Sequence, residues 1–402
     1  MIRSLKVATL LAFTSVTKGN FRIALLTMLI LILVALNLLF VPGLLDGLAW
    51  GANDKLINTY SGDLLIEPDG VNHYIANVDQ VMTEIANISG IDSATARNYL
   101  GAEIDFEGKY VGAAVYGIRP DTDMTVFTIA DYIINGSYLN TDDTDQILLG
   151  IQLAGSGRPN LELYARSLQN VSVGDRVSVN YNNGIQKEYT VKGIFYTEFI
   201  QTDLQAFVSE KEFQTVAPLL SNNASAIYIK TTEGADTDEI ISQILSKTSG
   251  LKVMTWEDYA GLVHSMTASF KIIELIMDVV NLLVAGITIF IVTYIDVAHR
   301  KRQIGIQRAI GITPASITLS YLIRAMFYAI VALALAMLIY KVGIIPLESH
   351  YPFHFPFGDV YLRMSPFVLI RTALLLFIVS IISALLPVHG VIRAKIINAI
   401  WG

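Results

Sequence analysis

Four apolar runs, Ile23–Leu45, Ile272–Ile295, Ile317–Ile345 and Phe367–Leu386, each reach the roughly 20 residues that a helix needs to cross a bilayer. In hydrocarbon every backbone N–H and C=O must be satisfied within the segment itself, so helices are the form open to these runs. The expected fold class is an α-helical four-span membrane bundle with a large α+β extracytoplasmic domain inserted between spans 1 and 2. The first run reads as an uncleaved anchor. Its apolar core is far longer than the roughly 7–15 residues of a signal-peptide core.

Charge divides the chain along the same lines. Residues 46–267 hold 30 of the 35 acidic residues and 13 of the 28 basic ones, leaving that block at −17 and the remainder at +10. An acidic, water-soluble block inside a basic, apolar frame meets two environments. Basic residues flanking spans stay on the cytoplasmic side. Arg3, Lys6, Lys18 and Arg22 precede span 1, Arg300, Lys301, Arg302 and Arg308 lie between spans 2 and 3, and Arg393 and Lys395 follow span 4. With four spans all three clusters fall on one side. The chain is thus expected in the cytoplasmic (inner) membrane as a multi-pass protein, with both termini cytoplasmic and the acidic block exported. The expected division is an interfacial helix at 1–22, span 1 at 23–45, the exported domain at 46–267, a stalk with span 2 at 268–295, a cytoplasmic helix at 296–314, span 3 at 315–345, an external loop at 346–364, span 4 at 365–387 and a cytoplasmic C-terminal helix at 388–402.

Within the exported block, Val, Ile and Tyr enrichment predicts strands at Asp63–Glu67, Glu103–Phe106, Tyr110–Ile118, Arg176–Tyr181, Glu188–Phe195 and Ala226–Lys230. Asn182-Asn183-Gly184 predicts a hairpin turn. Helices are expected at Val78–Ile88 and Thr237–Ser249, and a loop at Gly155–Pro159.

Lys271, Glu274 and Asp278 share one helical face at the start of span 2. They read as the solvated face of a stalk, an intramembrane ion site being the sharper alternative. Arg324 and Arg371 lie within a few turns of span ends and are expected to snorkel to headgroups; for Arg324 an acidic partner on a neighbouring helix is the alternative.

The segment His299–Gly311, HRKRQIGIQRAIG, has its own punctuation. Gly311 can end a helix in a left-handed turn, and Thr313-Pro314 can cap and start the next one. Retention at the inner face explains its charges, but not a stiff, capped helix with an apolar Ile306/Ile310 pair.

No phosphate-binding Gly-x4-Gly-Lys-Ser/Thr, Gly-x-Gly-x-x-Gly or His-Glu-x-x-His pattern occurs. His350 and His354 are split by Pro352, and YPFHFPFGD reads as an aromatic external loop. The absence of cysteine excludes thiol chemistry and cysteine-ligated metals. Catalytic, metal and cofactor residues are therefore expected to be none. Nucleic acid is not an expected partner.

One span, a large exported domain and three more spans with a basic helix between the second and third resemble the MacB/FtsX-like permeases of type VII ABC transporters. RKRQIGIQRAIG at Arg300–Gly311 is similar to the family's coupling helix. ILLGIQLAG (Ile147–Gly155), VSVGDRVSVN (Val171–Asn180) and YTVKGIFYTEFIQTDLQAFVS (Tyr189–Ser209) are similar to the lipoprotein-releasing LolC/LolE branch, and LPVHGVIRAKIINAI (Leu385–Ile400) to the family's usual end. The chain departs from the family at Arg324, where Glu is often found.

The resemblance implies a non-catalytic permease subunit. Its partners would be a separate cytoplasmic ABC ATPase that holds ATP and magnesium, a second permease copy or paralogue, membrane lipid and a periplasmic adaptor. Coupling to the ATPase would run through Arg300, Lys301, Arg302, Gln303, Gly305, Ile306, Arg308 and Gly311, with Gly305 allowing close backbone approach and Gly311 setting the exit angle. The implied work is export or extraction of a lipoprotein, lipid, peptide or drug. The alternative is a mechanotransmission module that relays ATPase force to an extracytoplasmic partner such as a cell-wall hydrolase.

Overall fold

A computed structural model describes residues 9, 21–70, 73–155, 166–259, 261–355 and 358–393. Most of the expected interfacial helix at 1–22, the loop after Gly155 and the C-terminal stretch after Arg393 lie outside the described residues. The longer helices are α1 (Phe21–Leu56), α2 (Val78–Ala86), α3 (Pro120–Val126), α4 (Glu210–Val216), α5 (Thr237–Lys247), α6 (Gly261–His299), α7 (Lys301–Ala309), α8 (Pro314–Ile339) and α9 (Pro366–Arg393). The chain divides into two compact units, a membrane unit and the domain inserted between the first and second spans.

Four helices in the membrane unit are long and apolar enough to cross a bilayer. Their shared core contains Leu31, Ala35, Leu38 and Leu39 of α1, Ala285 and Ile289 of α6, Ala325, Tyr328, Ala329, Ala332 and Ala336 of α8, and Leu376 and Ala384 of α9. Lipid tails are as apolar as leucine, so such helices associate through close packing and hydrogen bonds. The alanine stripe of α8 suits that requirement. So does Gly286, where an added Cβ would stand 3.1 Å from Ser383 Oγ on α9. Asn281 Nδ2 on α6 also donates to Asn37 Oδ1 on α1 at 2.7 Å.

The inserted domain is built on strands β1 (Leu64–Pro68), β2 (Ile75–Ala76), β3 (Ile91–Phe106), β4 (Lys109–Ile118), β5 (Ile133–Gly136), β6 (Gln146–Gly150), β7 (Arg176–Tyr181), β8 (Gln186–Phe195), β9 (Gln205–Ser209), β10 (Asn223–Ala224), β11 (Ala226–Thr231) and β12 (Leu251–Thr255). The pairings β3-β4-β9-β6-β8-β7-β3 close into a ring, parallel at β4–β9 and β6–β8 and antiparallel elsewhere. Closure removes the exposed strand edges that invite association. Alternate residues fill the interior, among them Val111 and Val115, Ile147 and Leu149, Val177 and Val179, and Ala206 and Val208. An open sheet, β12-β1-β11-β3, carries α2 and α5 over a second core of Leu64, Ile66, Val78, Ile85, Ile227, Ile229, Ile240 and Ile244.

Both sheets therefore depend on β3, which changes partner midway. Arg97 faces Ala226 of β11, and Asn98 faces Gly117 of β4. At that changeover the Arg97 side chain is fully buried. Its Nε and Nη2 donate to the two carboxylate oxygens of Asp123 at 2.7 and 2.9 Å. Tyr138 donates to the same carboxylate at 3.0 Å, and the guanidinium lies 3.7 Å from the Phe127 ring centroid. A buried charge survives only with such pairing, and planar Arg suits a bidentate carboxylate.

The expected strand Glu103–Phe106 is the tail of this 16-residue strand. Strands β5, β6, β9 and β12 and helices α3 and α4 were not legible in the sequence. β6 and β9 are short apolar runs buried on both faces, which carry no alternation. At the expected hairpin, Gly184 adopts φ +86° and its N–H donates to Tyr181 O at 2.9 Å. The segment between the third and fourth spans contains a two-stranded sheet, β13 (Phe353–Phe355) with β14 (Gly358–Val360).

Asp203 closes the one-turn helix Ile200–Asp203 and accepts from the Thr197 N–H and the Thr197 hydroxyl, each at 2.8 Å. Burial pushes its carboxyl up to about 7, against the lowering effect of the Thr197 hydrogen bonds. Because this folded value lies above the unfolded 3.8, the folded state holds the proton longer, and stability falls as pH rises through that window. Full-length protein followed by thermal unfolding should be more stable at pH 5 than at pH 8, by up to about 2.5 kcal/mol from this group. Asp203→Asn should flatten the difference; an unchanged pH dependence would refute the assignment.

Candidate functional site

Between α6 and α8 the chain makes an elbow around α7. Its C-terminus closes with paired reverse bonds: Gly311 N donates to Arg308 O at 3.2 Å, and Ile312 N to Gln307 O at 3.0 Å. This arrangement requires a left-handed residue after the helix, and Gly311 supplies it at φ +95°. Two residues on, Thr313 Oγ1 accepts from Ser316 N at 3.3 Å and Pro314 occupies the first turn of α8. The elbow is thus a rigid helix between a fixed exit and a capped entry. A small core of Val297, Ile304, Ile317 and Val388, with Ile312 and Tyr321 against it, seats α7 on the other helices.

The residues expected to couple fall on different faces. Arg302, Gln303 and Ile306 are exposed, as is Ile310 just past the helix, and Lys301 and Arg308 are partly exposed. Gly305 is buried beside Ile304. Arg300 Nε donates to Asp296 Oδ1 at 3.1 Å.

Asp296 was not singled out in the sequence. Its other oxygen, Oδ2, accepts from Arg324 Nη1 of α8 at 2.6 Å, and Arg324 Nε donates to Tyr328 Oη at 3.3 Å. Arg324 therefore does not snorkel; the acidic-partner alternative holds. The available signal was scarcity. Outside 46–267 the chain has five carboxylates, and Asp296 stands one turn before Arg300 at the end of an apolar run.

The opposite end of α6 carries a second charged joint. Arg371 of α9 donates through Nη2 to Asp278 Oδ2 at 2.7 Å and also contacts Glu274 Oε1. The side chains of Glu274 and Asp278 are only 13% and 12% exposed. This corrects the solvated-stalk reading for both carboxylates and the snorkelling reading for Arg371. A helical face that looks solvated in sequence is satisfied here by a helix nearly a hundred residues away. Lys271 alone of the three is exposed. From Glu274 to Asp296 is 22 residues, or about 33 Å of helix, close to the thickness of a bilayer's apolar core.

Comparison with known proteins decides the family. The MacB-like periplasmic core domain matches residues 24–247, more than half of the chain, and the FtsX-like permease C-terminal domain matches residues 276–396. The chain belongs to the MacB/FtsX-like permeases. An uncharacterised ABC transporter permease of Methanocaldococcus jannaschii is 25% identical to this permease over 276 residues. The match spans 64% of this chain and 64% of that relative's length. Among solved structures, the extracellular domain of the noncanonic ABC-type transporter YknZ from Gram-positive bacteria aligns at 10% identity, over 48% of this chain and 99% of that one, with a TM-score of 0.35. The periplasmic region of MacB from Actinobacillus actinomycetemcomitans aligns at 13% identity, over 52% of this chain and 95% of that one, also with a TM-score of 0.35.

In the permease, Arg371→Leu leaves two carboxylates facing each other without a cation. Loss of a buried partner costs about 3 kcal/mol or more. The melting temperature in detergent should fall clearly for Arg371→Leu and little for Glu274→Gln, which leaves the Asp278 pair intact. Equal melting temperatures for wild type and Arg371→Leu would show that the joint does not hold α6 to α9.

Proposed function

We propose that this permease works as one half of an ABC exporter, driven by a separate ATPase docked beneath α7. What carries the reading is the capped elbow, which presents exposed Ile306, Ile310, Arg302 and Gln303 while Ile304 and Gly305 are buried. An apolar pair rimmed by cationic and polar groups suits a protein groove with an acidic edge. Placing Arg300, Lys301, Arg302 and Arg308 on the cytoplasmic side puts α7 within reach of such a partner and exports the inserted domain.

ATP and magnesium belong to that partner. Closure of two ATPases under two permease halves, identical or paralogous, would displace both α7 helices. The displacement would travel along α6, an unbroken helix from Gly261 to His299, to the exported domain. A continuous helix transmits displacement that a flexible linker would absorb. The cargo class is an amphiphile such as a lipoprotein, lipid, peptide or drug taken from the outer leaflet or the space beyond. Relay of the same motion to a wall hydrolase is the alternative output.

The test begins with the full chain purified with lipid and its retained proteins identified. An ATPase is expected; cargo supports export, and a wall hydrolase in its place supports the relay. Gly311→Val then asks whether the elbow carries force. A β-branched residue at φ +95° is strained whatever the surrounding space, a cost of roughly 1–3 kcal/mol. The variant should insert and retain the ATPase, while ATP-driven cargo release falls about tenfold. Full coupled activity in vesicles would remove the role of Gly311.

A further inference from the structure

The Asp296 carboxylate divides its two oxygens between different elements. Oδ1 goes to Arg300 at the start of the elbow, and Oδ2 goes to Arg324 in α8. The side chains of Asp296 and Arg324 are 16% and 10% exposed, and Tyr328 Oη occupies a further face of the guanidinium. Displacing α7 can have two consequences. The spacing between α6 and α8 can yield, so that the push is lost as local shear, or the two helices and the elbow can move together.

Among the described residues the apolar contacts beneath the elbow are Val297, Ile304, Ile317 and Val388, with Ile312 and Tyr321 against them, and apolar contacts have no preferred direction. Charge-assisted hydrogen bonds in a low-dielectric setting are short and directional. The Asp296 carboxylate on α6 bonds both Arg300, at the start of the elbow, and Arg324 of α8.

We infer that Asp296 is a positioning residue that locks α6, the elbow and α8 into one rigid body, so that motion imparted to α7 moves the second and third spans together. The inference rests on the reading of α7 as the element that receives force. Asp296 touches neither nucleotide nor cargo in this scheme. It determines whether the elbow's motion is delivered or dissipated.

The chain contains no cysteine, so a label pair can be introduced without background. Ile291→Cys on α6 and Phe327→Cys on α8 replace side chains that are 47% and 45% exposed. The doubly spin-labelled full chain, purified with its retained ATPase into lipid nanodiscs, is measured by pulsed EPR with and without ATP and vanadate. With Asp296 intact, one narrow distance distribution is expected, unchanged by nucleotide. In Asp296→Asn a second distance should appear and grow on the order of tenfold with nucleotide, the scale of a coupled charge pair. Asp296→Glu should restore the narrow distribution, as should reversing all three charges together (Asp296→Arg, Arg300→Asp, Arg324→Asp). A merely structural defect would not be rescued by full charge reversal.

An Asp296→Asn sample that keeps its ATPase and a single narrow distance overturns the inference and leaves the proposed function standing. If wild type retains no ATPase, the proposed function fails. The nucleotide-free comparison then decides, with a broader distribution in Asp296→Asn supporting the lock and an identical one overturning it. Should Asp296→Asn not accumulate, Arg300→Gln removes one of the two contacts and is read in the same way.

Discussion

A charge carried into hydrocarbon costs several kcal/mol unless its counter-charge meets it there, and that requirement organises the membrane half of this permease. Of the five carboxylates outside residues 46–267, Glu274, Asp278 and Asp296 all lie on α6, and all three are met by arginines. The partners come from two other spans, Arg371 from α9 at one end and Arg324 from α8 at the other. The second span is therefore fastened at both ends by directional bonds. Between those ends it has small-residue packing at Ala285 and Gly286, which allows close approach, and the Asn281–Asn37 hydrogen bond. A helix held in this way suits the transmission of displacement along its length.

The inserted domain meets a related problem in water. Its closed ring and its open sheet each have a core, β3 belongs to both, and a third core packs Leu65, Ala226 and Tyr228 of the open sheet against Tyr116, Leu148, Phe195 and Phe207 of the ring. β3 changes partner between Arg97 and Asn98. There the chain places Arg97, clamped by Asp123 and packed against Phe127. Replacing such a pair with apolar residues is often neutral for stability, so the pair is better understood as orienting α3 against β3 than as added stability. Asp203 differs in that burial outweighs the Thr197 hydrogen bonds and the nearby Lys55 charge that act against it.

How much of this was legible in the sequence depended on the range of the interaction concerned. Spans announce themselves through length, and Gly311, Thr313 and Gly184 through conformations that few residues tolerate. These local features appear in the structure where they were expected. The long-range pairings were not legible. Arg371 and Glu274 are 97 positions apart, and nothing in the local pattern of Lys271, Glu274 and Asp278 distinguishes a wet helical face from one covered by another helix. The doubly buried strands β6 and β9 were missed for a similar reason, since their parallel neighbours lie far away in sequence. Family resemblance supplied the overall plan, but it did not predict the Arg324–Asp296 pair, because the family pattern often places Glu at the Arg324 position.

Everything proposed for the elbow requires it to lie in the cytoplasm while the inserted domain lies outside. The most direct measurement uses single cysteines at Asn183 and at Gln303 in the cysteine-free chain, probed in intact cells with a membrane-impermeant maleimide. The account predicts that Asn183→Cys is labelled from outside and that Gln303→Cys reacts only once the membrane is opened. Labelling of Gln303→Cys in intact cells, or protection of Asn183→Cys, would place the elbow where no cytoplasmic ATPase can reach it.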